Sequence, residues 1–301
     1  MQNKSKKDEQ HIVPRIYLKH WRIANDKNFV YGIDFSNKYK KGVNIYGLND
    51  KVFKLRRYYN DNTFQNPYII EDILGEDIEP NYDKIMDEVC CEINLSQSIR
   101  EKIIQWLYVS KMRSPYTRNN AERMANFMYK SIESYGGKSI SPEKEEAIDI
   151  YSKQLAKKIQ LNTFADQNQL EKLLSLFIET LNAKHWRILK SNPQYEFWTN
   201  DNPGFSPNID ERYAKDNPFH RVMEMNSSSI ILFPLSPKYC LEITPFKTGT
   251  PLDVCALSMD IEFKQIPLNH IEYINKGVLH TCNKLVISNN RTILEQCIER
   301  K

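Results

Sequence analysis

Apolar positions change their period along the chain. Residues 28–35 (NFVYGIDF) and 43–58 (VNIYGLNDKVFKLRRY) place β-branched and aromatic residues around glycine and Asn-Asp turns, which predicts short strands or hairpins. From about residue 68 the spacing becomes helical: Ile69, Ile70, Ile73 and Leu74 recur three to four apart, and so do Tyr82, Ile85, Met86 and Val89 after Pro80. Residues 96–113 predict a long helix, with Ser96 as N-cap and Ile99, Ile103, Trp106 and Leu107 on one face. Pro115 ends or bends it. A second helix spans 117–135 and is closed by Gly136-Gly137, and Ser141-Pro142 opens a third over 142–160, followed by a fourth over 166–185.

Past residue 185 the strand pattern returns at 186–191, 195–199, 229–233, 239–243 and 262–265, with prolines in the intervening turns. A helix over 269–284, a short strand or turn at 285–288 and a terminal helix from Thr292 complete the chain. Near the front, Pro14 disfavours helix at Val13, so a short helix is expected to begin there. The expected fold class is α+β: short N-terminal strands, then a mainly helical middle packed on a mixed or antiparallel C-terminal sheet. The expected organisation is a flexible tail over 1–9 and a single domain over 10–301. Its helical middle covers about 68–185 and its β-rich part about 186–268.

Composition narrows the classes. The chain has 301 residues, 41% hydrophobic and 11% aromatic, enough for a large core. The nine glycines match neither G-x-G-x-x-G nor the phosphate loop ending in G-K-[ST], and G-x-S-x-G is absent too, which argues against the usual nucleotide loops and the nucleophile elbow. Mean hydropathy is −0.61, and no apolar run approaches the roughly 20 residues that cross a bilayer, so no membrane association is expected. The charged start MQNKSKKDEQ has no apolar stretch behind it. The expectation is a cytoplasmic chain whose six cysteines, none in C-x-x-C, are reduced and mostly small buried apolar groups. Net charge is only +4, which neither demands nor forbids nucleic acid. The local basic clusters are Lys4, Lys6 and Lys7, then Lys38, Lys40 and Lys41, then Arg56-Arg57 beside the stackable rings of Tyr58 and Tyr59.

Five polar stretches carry candidate chemistry. In Gln10-His11-Ile12-Val13-Pro14-Arg15, His11 can act as a general acid or base and Arg15, one turn on, can hold an anion. Glu71 and Glu79 are spaced to share a helical face and could bind a divalent metal. Arg113, in Lys111-Met112-Arg113-Ser114-Pro115, can cap its helix or project into a cleft. Thr199-Asn200-Asp201-Asn202-Pro203 follows a strand, where binding groups often sit. Phe233-Pro234-Leu235-Ser236-Pro237 fixes the backbone around Ser236 and reads as a rigid supporting loop.

In order, Q-H-x-V-P-x-x-Y-L, R-[ST]-P, D-N-P and F-P-L-S-P resemble the prokaryotic family called domain of unknown function 4238, and Asn275 in Y-I-N-K is similar as well. The resemblance covers about residues 10–298. Arg15 stands where the family often has Gln, and Asn200 precedes Asp201 where it often has Ser. The resemblance implies that His11, Arg113, Asp201, Asn202 and Ser236 match the family's motif positions, and supplies no roles.

By chemical type, the expectation is an enzyme acting on a phosphate-containing substrate, a nuclease of a toxin or phage-defence kind. His11 would be acid or base, Arg113 and Arg15 would stabilise the anion, and Asp201 would orient His11. Asn202, Ser236 and Asn275 would bind substrate, with Glu71 and Glu79 as metal ligands if the reaction is metal-assisted. The partner would be a nucleic acid or nucleotide. Two alternatives stand beside this: a non-catalytic module in which the same residues form a structural hydrogen-bond network, and a regulator that binds a protein partner.

Overall fold

The computed structural model describes residues 8–24, 26–36, 42–192, 194–210, 214–246 and 261–299, with side chains to 295 in the last segment. The lysines at 4, 6, 7, 38, 40 and 41, Cys255 and most of the expected tail lie outside the described residues.

The chain opens with strand β1 (Glu9–His11) and a one-turn helix α1 (Arg15–Leu18), which begins after Pro14. Strands β2 (Phe29–Asp34), β3 (Asn44–Gly47) and β4 (Lys54–Arg56) follow. Five longer helices and a short one make the middle: α2 (Ile69–Ile73, continued by a π turn over Leu74–Ile78), α3 (Asn81–Cys91), α4 (Gln97–Met112), α5 (Pro115–Glu133), α6 (Pro142–Ala165) and α7 (Gln167–Asn182). Ser96, Ser114, Ser141 and Asp166 each accept a backbone N–H as N-cap side chains of α4 to α7. Then come β5 (His185–Lys190), β6 (Thr199–Asn200), β7 (Ser206–Pro207), β8 (Phe219–His220), β9 (Ile231–Pro234), β10 (Tyr239–Thr244) and β11 (Glu262–Gln265). Helix α8 (Leu268–Thr281), strand β12 (Leu285–Ser288) and helix α9 (Arg291–Glu299) end the chain. The fold is α+β, as the periodicity predicts.

Two four-stranded sheets form among the described residues, where a single sheet was expected. One is mixed, in the order β11-β5-β10-β9, with β5 parallel to β11 and antiparallel to β10. The other is antiparallel, in the order β3-β2-β12-β6. The segment 285–288, read from sequence as strand or turn, is the inner strand that joins the chain's front to its middle: Val286 lies opposite both Ile33 and Asn200. The expected strand at 195–199 pairs only from Thr199, because Glu196 and Trp198 give their backbone groups to the Asn275 side chain instead. Of the four described cysteines, Cys240 and Cys282 are buried, whereas Cys90 and Cys91, at the solvent end of α3, are exposed, contrary to expectation.

An aromatic cluster joins the layers. Tyr17 on α1 lies 5.4 Å from Tyr82, 5.9 Å from Phe233 and 5.9 Å from Trp21, ring centre to ring centre. Its hydroxyl donates to Pro234 O at 2.7 Å and bonds Thr199 Oγ1 at 2.6 Å, and Tyr82 Oη donates to Leu235 O at 2.5 Å. One side chain thus ties the N-terminal segment to both large sheets. Elsewhere Gly277 on α8 lets the helix lie directly on Phe205, whose ring occupies the space a Cβ would need.

Tyr17→Phe keeps the ring but leaves a buried carbonyl and hydroxyl without their partner. A loss of about 1–3 kcal/mol is expected in urea unfolding. Gly277→Ala is expected to cost about 1–3 kcal/mol by overpacking, read in the same titration.

Candidate functional site

The motif residues gather at the C-terminal end of α4, and that end divides them into two groups. Lys111 and Arg113 are two positions apart, so their side chains leave the helix on different sides. Both are buried, Lys111 to 7% exposure and Arg113 to 1%.

On one side Arg113 meets the N-terminal motif. Its Nη1 donates to Glu79 Oε1 at 2.8 Å and its Nη2 donates to the backbone carbonyl of His11 at 2.6 Å. The guanidinium also lies 5.9 Å from the centre of the Tyr59 ring. Burial works against the Arg113 charge, but Tyr59, Glu79 and Glu71 together raise its affinity for the proton above the ordinary value. Glu79, expected with Glu71 as a possible metal ligand, is paired instead with an internal cation. Among the described residues no group of three or more His, Cys, Asp or Glu side chains is placed to hold a metal ion. Gln10 is fully buried; its Oε1 accepts from Tyr59 N at 2.6 Å and its Nε2 donates to Asn60 Oδ1 at 2.5 Å.

His11 keeps its imidazole toward Leu48 O at 3.3 Å. Burial, reinforced by the positive charge of Lys54, Arg113 and Arg15, pushes its pKa down to about 4. At neutral pH the ring is therefore uncharged. Arg15 is exposed and adds only to that positive surrounding. The basic pair Arg56-Arg57 meets Asp8, at 4.0 and 3.1 Å, and the ring of Tyr58 is covered by Arg118 at 3.5 Å, so this stretch offers no open stacking face.

On the other side Lys111 meets the D-N-P corner. Its Nζ donates to Asn202 O at 2.9 Å, Asn202 Oδ1 at 3.0 Å and Arg221 O at 3.0 Å. Three acceptors match the three donors of an ammonium, and Asp201 favours the charge, against burial that pushes the Lys111 pKa well down. Asp201 is sealed at 1% exposure. Its carboxylate accepts from Asn283 N at 2.8 Å and Lys284 N at 3.1 Å, while burial lifts its pKa to about 6. Asn202 Nδ2 donates to Arg221 O at 3.0 Å and Thr281 O at 3.2 Å. Asn200, which precedes Asp201 in the motif, donates to Val278 O at 2.6 Å and to Thr281 Oγ1 at 3.2 Å. Asn200, Asp201 and Asn202 together satisfy the polar groups that the end of α8 leaves unpaired.

His11 and Asp201 share no hydrogen bond among the described residues; the end of α4 lies between their groups. The expected pairing of His11 with Asp201 is not what the fold builds. Ser236 accepts from Tyr239 N at 3.2 Å and Lys238 N at 3.3 Å, closing the β9–β10 turn. Asn275 Oδ1 accepts from Trp198 N at 2.9 Å and its Nδ2 donates to Glu196 O at 2.9 Å. Both hold backbone in place. Gln10 and Lys111 lie inside these same stretches; a lysine within the apolar-faced helix 96–113 was the signal that could have marked Lys111.

An open pocket of about 560 Å³ lies directly outside the D-N-P corner. Buried Phe219 is its floor, Phe35 stands at one side, and Arg221, Lys276, His280 and Asn283 form the rim. His280 hydrogen-bonds Asn217 Oδ1 at 3.0 Å, and burial, then Arg221, keep it below its usual pKa. Arg221 lies 5.6 Å from the Tyr116 ring centre, and neither it nor Lys276 has a carboxylate partner among the described residues.

An α+β protein with two buried cations at one helix end, each coordinated by a short sequence motif, is the class that fold and site define. The chain belongs to the family of proteins of unknown function DUF4238, whose model matches residues 9–292. No curated protein and no solved structure matches the chain.

Two outcomes test this geometry. Arg113→Ala, which strands Glu79 and the His11 carbonyl, is expected to cost about 3 kcal/mol in chemical denaturation, whereas exposed Arg15→Ala should stay within about 0.5 kcal/mol. For Asp201 the folded pKa of about 6 lies above an unfolded value of about 3.9. Its protonated form therefore stabilises the fold below about pH 3.9, and that contribution is lost as pH rises through about 6. Asp201→Asn should remove this dependence. The stability of the variant relative to wild type should then rise between about pH 4 and pH 6, and a constant difference would contradict the assignment.

Proposed function

We propose that the protein binds a phosphate-bearing ligand, a nucleotide or a nucleic-acid strand, in the pocket bounded by Phe219, Arg221, Lys276 and His280. The observation that carries this reading is where the motif side chains point. Asn202 and Lys111 hold the carbonyl of Arg221, while Asp201 and Asn202 hold Thr281, Asn283 and Lys284. The buried network thus fixes the two backbone segments that form the pocket's cationic rim.

The chemistry of the lining supports an anion with an aromatic or apolar body. Two cations without carboxylate partners attract phosphate oxygens, and Arg221 can present a planar fork to them. Phe219 and Phe35 supply a surface on which a base can stack. The volume falls in the range of small-ligand pockets. No helix among the described residues is long and apolar enough to cross a membrane.

The same geometry favours binding over the expected hydrolysis by His11, Arg113 and Asp201. Arg113 and Asp201 are sealed, and the uncharged His11 ring has no proton to give as an acid near neutral pH. These residues serve the fold, and the exposed ligand-facing groups lie one layer outside them.

Equilibrium binding of a fluorescent mononucleotide and of short labelled RNA and DNA tests the reading. Arg221→Ala and Lys276→Ala are each expected to weaken binding about tenfold, with a log–log salt slope of about 1–2 for wild type. Cleaved RNA or DNA in the wild-type samples, lost in His280→Ala, would add a nuclease step to binding. Absence of binding to all three probes at low salt would overturn the proposal.

A further inference from the structure

The helical hairpin of α5 and α6 exposes an apolar face that its own chain leaves uncovered. Met124, Phe127, Met128, Ile132 and Tyr135 are 60%, 74%, 59%, 66% and 85% exposed, although all lie on or directly after α5. The opposite side of the helix is the one used internally: Arg118 bonds Gln160 on α6, Ala125 is buried, and Lys130 faces Asp149. Five large apolar side chains left in water on one helix face are unusual for an isolated globule and mark an interface.

We propose that this face pairs with the same face of a second copy of the chain, antiparallel about a two-fold axis. Ala121, Met124, Met128, Ser131 and Tyr135 follow the alternating three-four spacing of a two-helix seam. Between Ala121 and Ser131 the order of sizes reads the same in both directions around a centre at Asn126: Met124 falls opposite Met128, and Ala121 opposite Ser131, with Tyr135 beyond them. In that central stretch large meets large and small meets small, a match of one surface to itself that a two-fold permits. Phe127 and Ile132 flank the seam on either side. The positions next to it hold no exposed charge: Asn120, Phe127 and Ser134 line one edge, and Ala125 and Ile132 the other. Nothing on the face repels its own copy, and methionines adapt readily to such contacts.

The area suffices. With roughly 150–250 Å² for each large side chain, the five exposed fractions amount to roughly 500–850 Å² per copy. That approaches the roughly 800 Å² per partner of a standard interface. This inference rests on the helical hairpin alone and is independent of the pocket.

Sedimentation velocity of the full chain from about 1 to 100 μM tests it. The expected result is a concentration-dependent dimer of the 35.6 kDa chain, shifted to monomer by Phe127→Glu and by Met128→Glu with unchanged circular dichroism and unfolding midpoint. Orientation is read by disulfide trapping with Cys90 and Cys91 replaced by serine. A mixture of Ala121→Cys and Ser131→Cys proteins should cross-link to each other far more than either does to itself. A wild-type monomer throughout the range, or a dimer untouched by both glutamate variants, would overturn the proposal. Preferential self-cross-linking would overturn its antiparallel form.

Discussion

The rest of the structure depends on the burial of the C-terminal end of α4. A helix end leaves carbonyls without partners, and burial makes each of them costly. Here three consecutive carbonyls are met by side chains, one from the next helix and two from distant segments: Lys111 O by Thr117, Met112 O by Gln160 at 2.5 Å, and Arg113 O by Tyr59 at 2.8 Å. The same turn carries two buried cations, which need acceptors of their own. Their partners come from β1, the π turn after α2, the corner after β6 and the segment before β9. Satisfying one helix end therefore fixes the relative placement of most of the chain.

This constraint explains why the sequence motifs are short, scattered and polar. Each is the part of a segment that reaches the α4 terminus or the end of α8. Pro14 and Pro234 hold the backbone on which Tyr17 closes, and Gly204, with φ of +77°, turns the chain sharply after the D-N-P corner. Ionisable groups are used here as fixed charges and capping groups. The pKa displacements of His11, Lys111 and Asp201 follow mainly from burial, which also makes their hydrogen bonds sensitive to substitution.

The division between inside and outside shapes two exposed surfaces. The D-N-P corner is closed toward the core and shapes an open cationic pocket on its far side. The α5–α6 hairpin starts at the same α4 terminus and carries its apolar face away from it. A single buried junction thus orients both an open cationic pocket and the exposed apolar face of α5.

Periodicity and punctuation determined the elements. Ser96, Pro115, Ser141-Pro142 and the glycine pair at 136–137 mark the long helices within a few residues, because capping and backbone restriction act locally. The α+β class followed from the order of those periods. The motif residues were legible as unusual, since Gln10, Arg113, Asp201 and Asn202 lie in short polar and proline-bounded stretches next to apolar runs. Their roles were not, because role depends on which side of α4 each side chain leaves and on what meets it from far along the chain. The paired sheets, the central place of Leu285–Ser288, the capture of Glu79 by Arg113 and the rim of Arg221, Lys276 and His280 arise from contacts between segments up to about two hundred residues apart. Only three-dimensional packing decides such contacts, since no local propensity carries information about a distant partner.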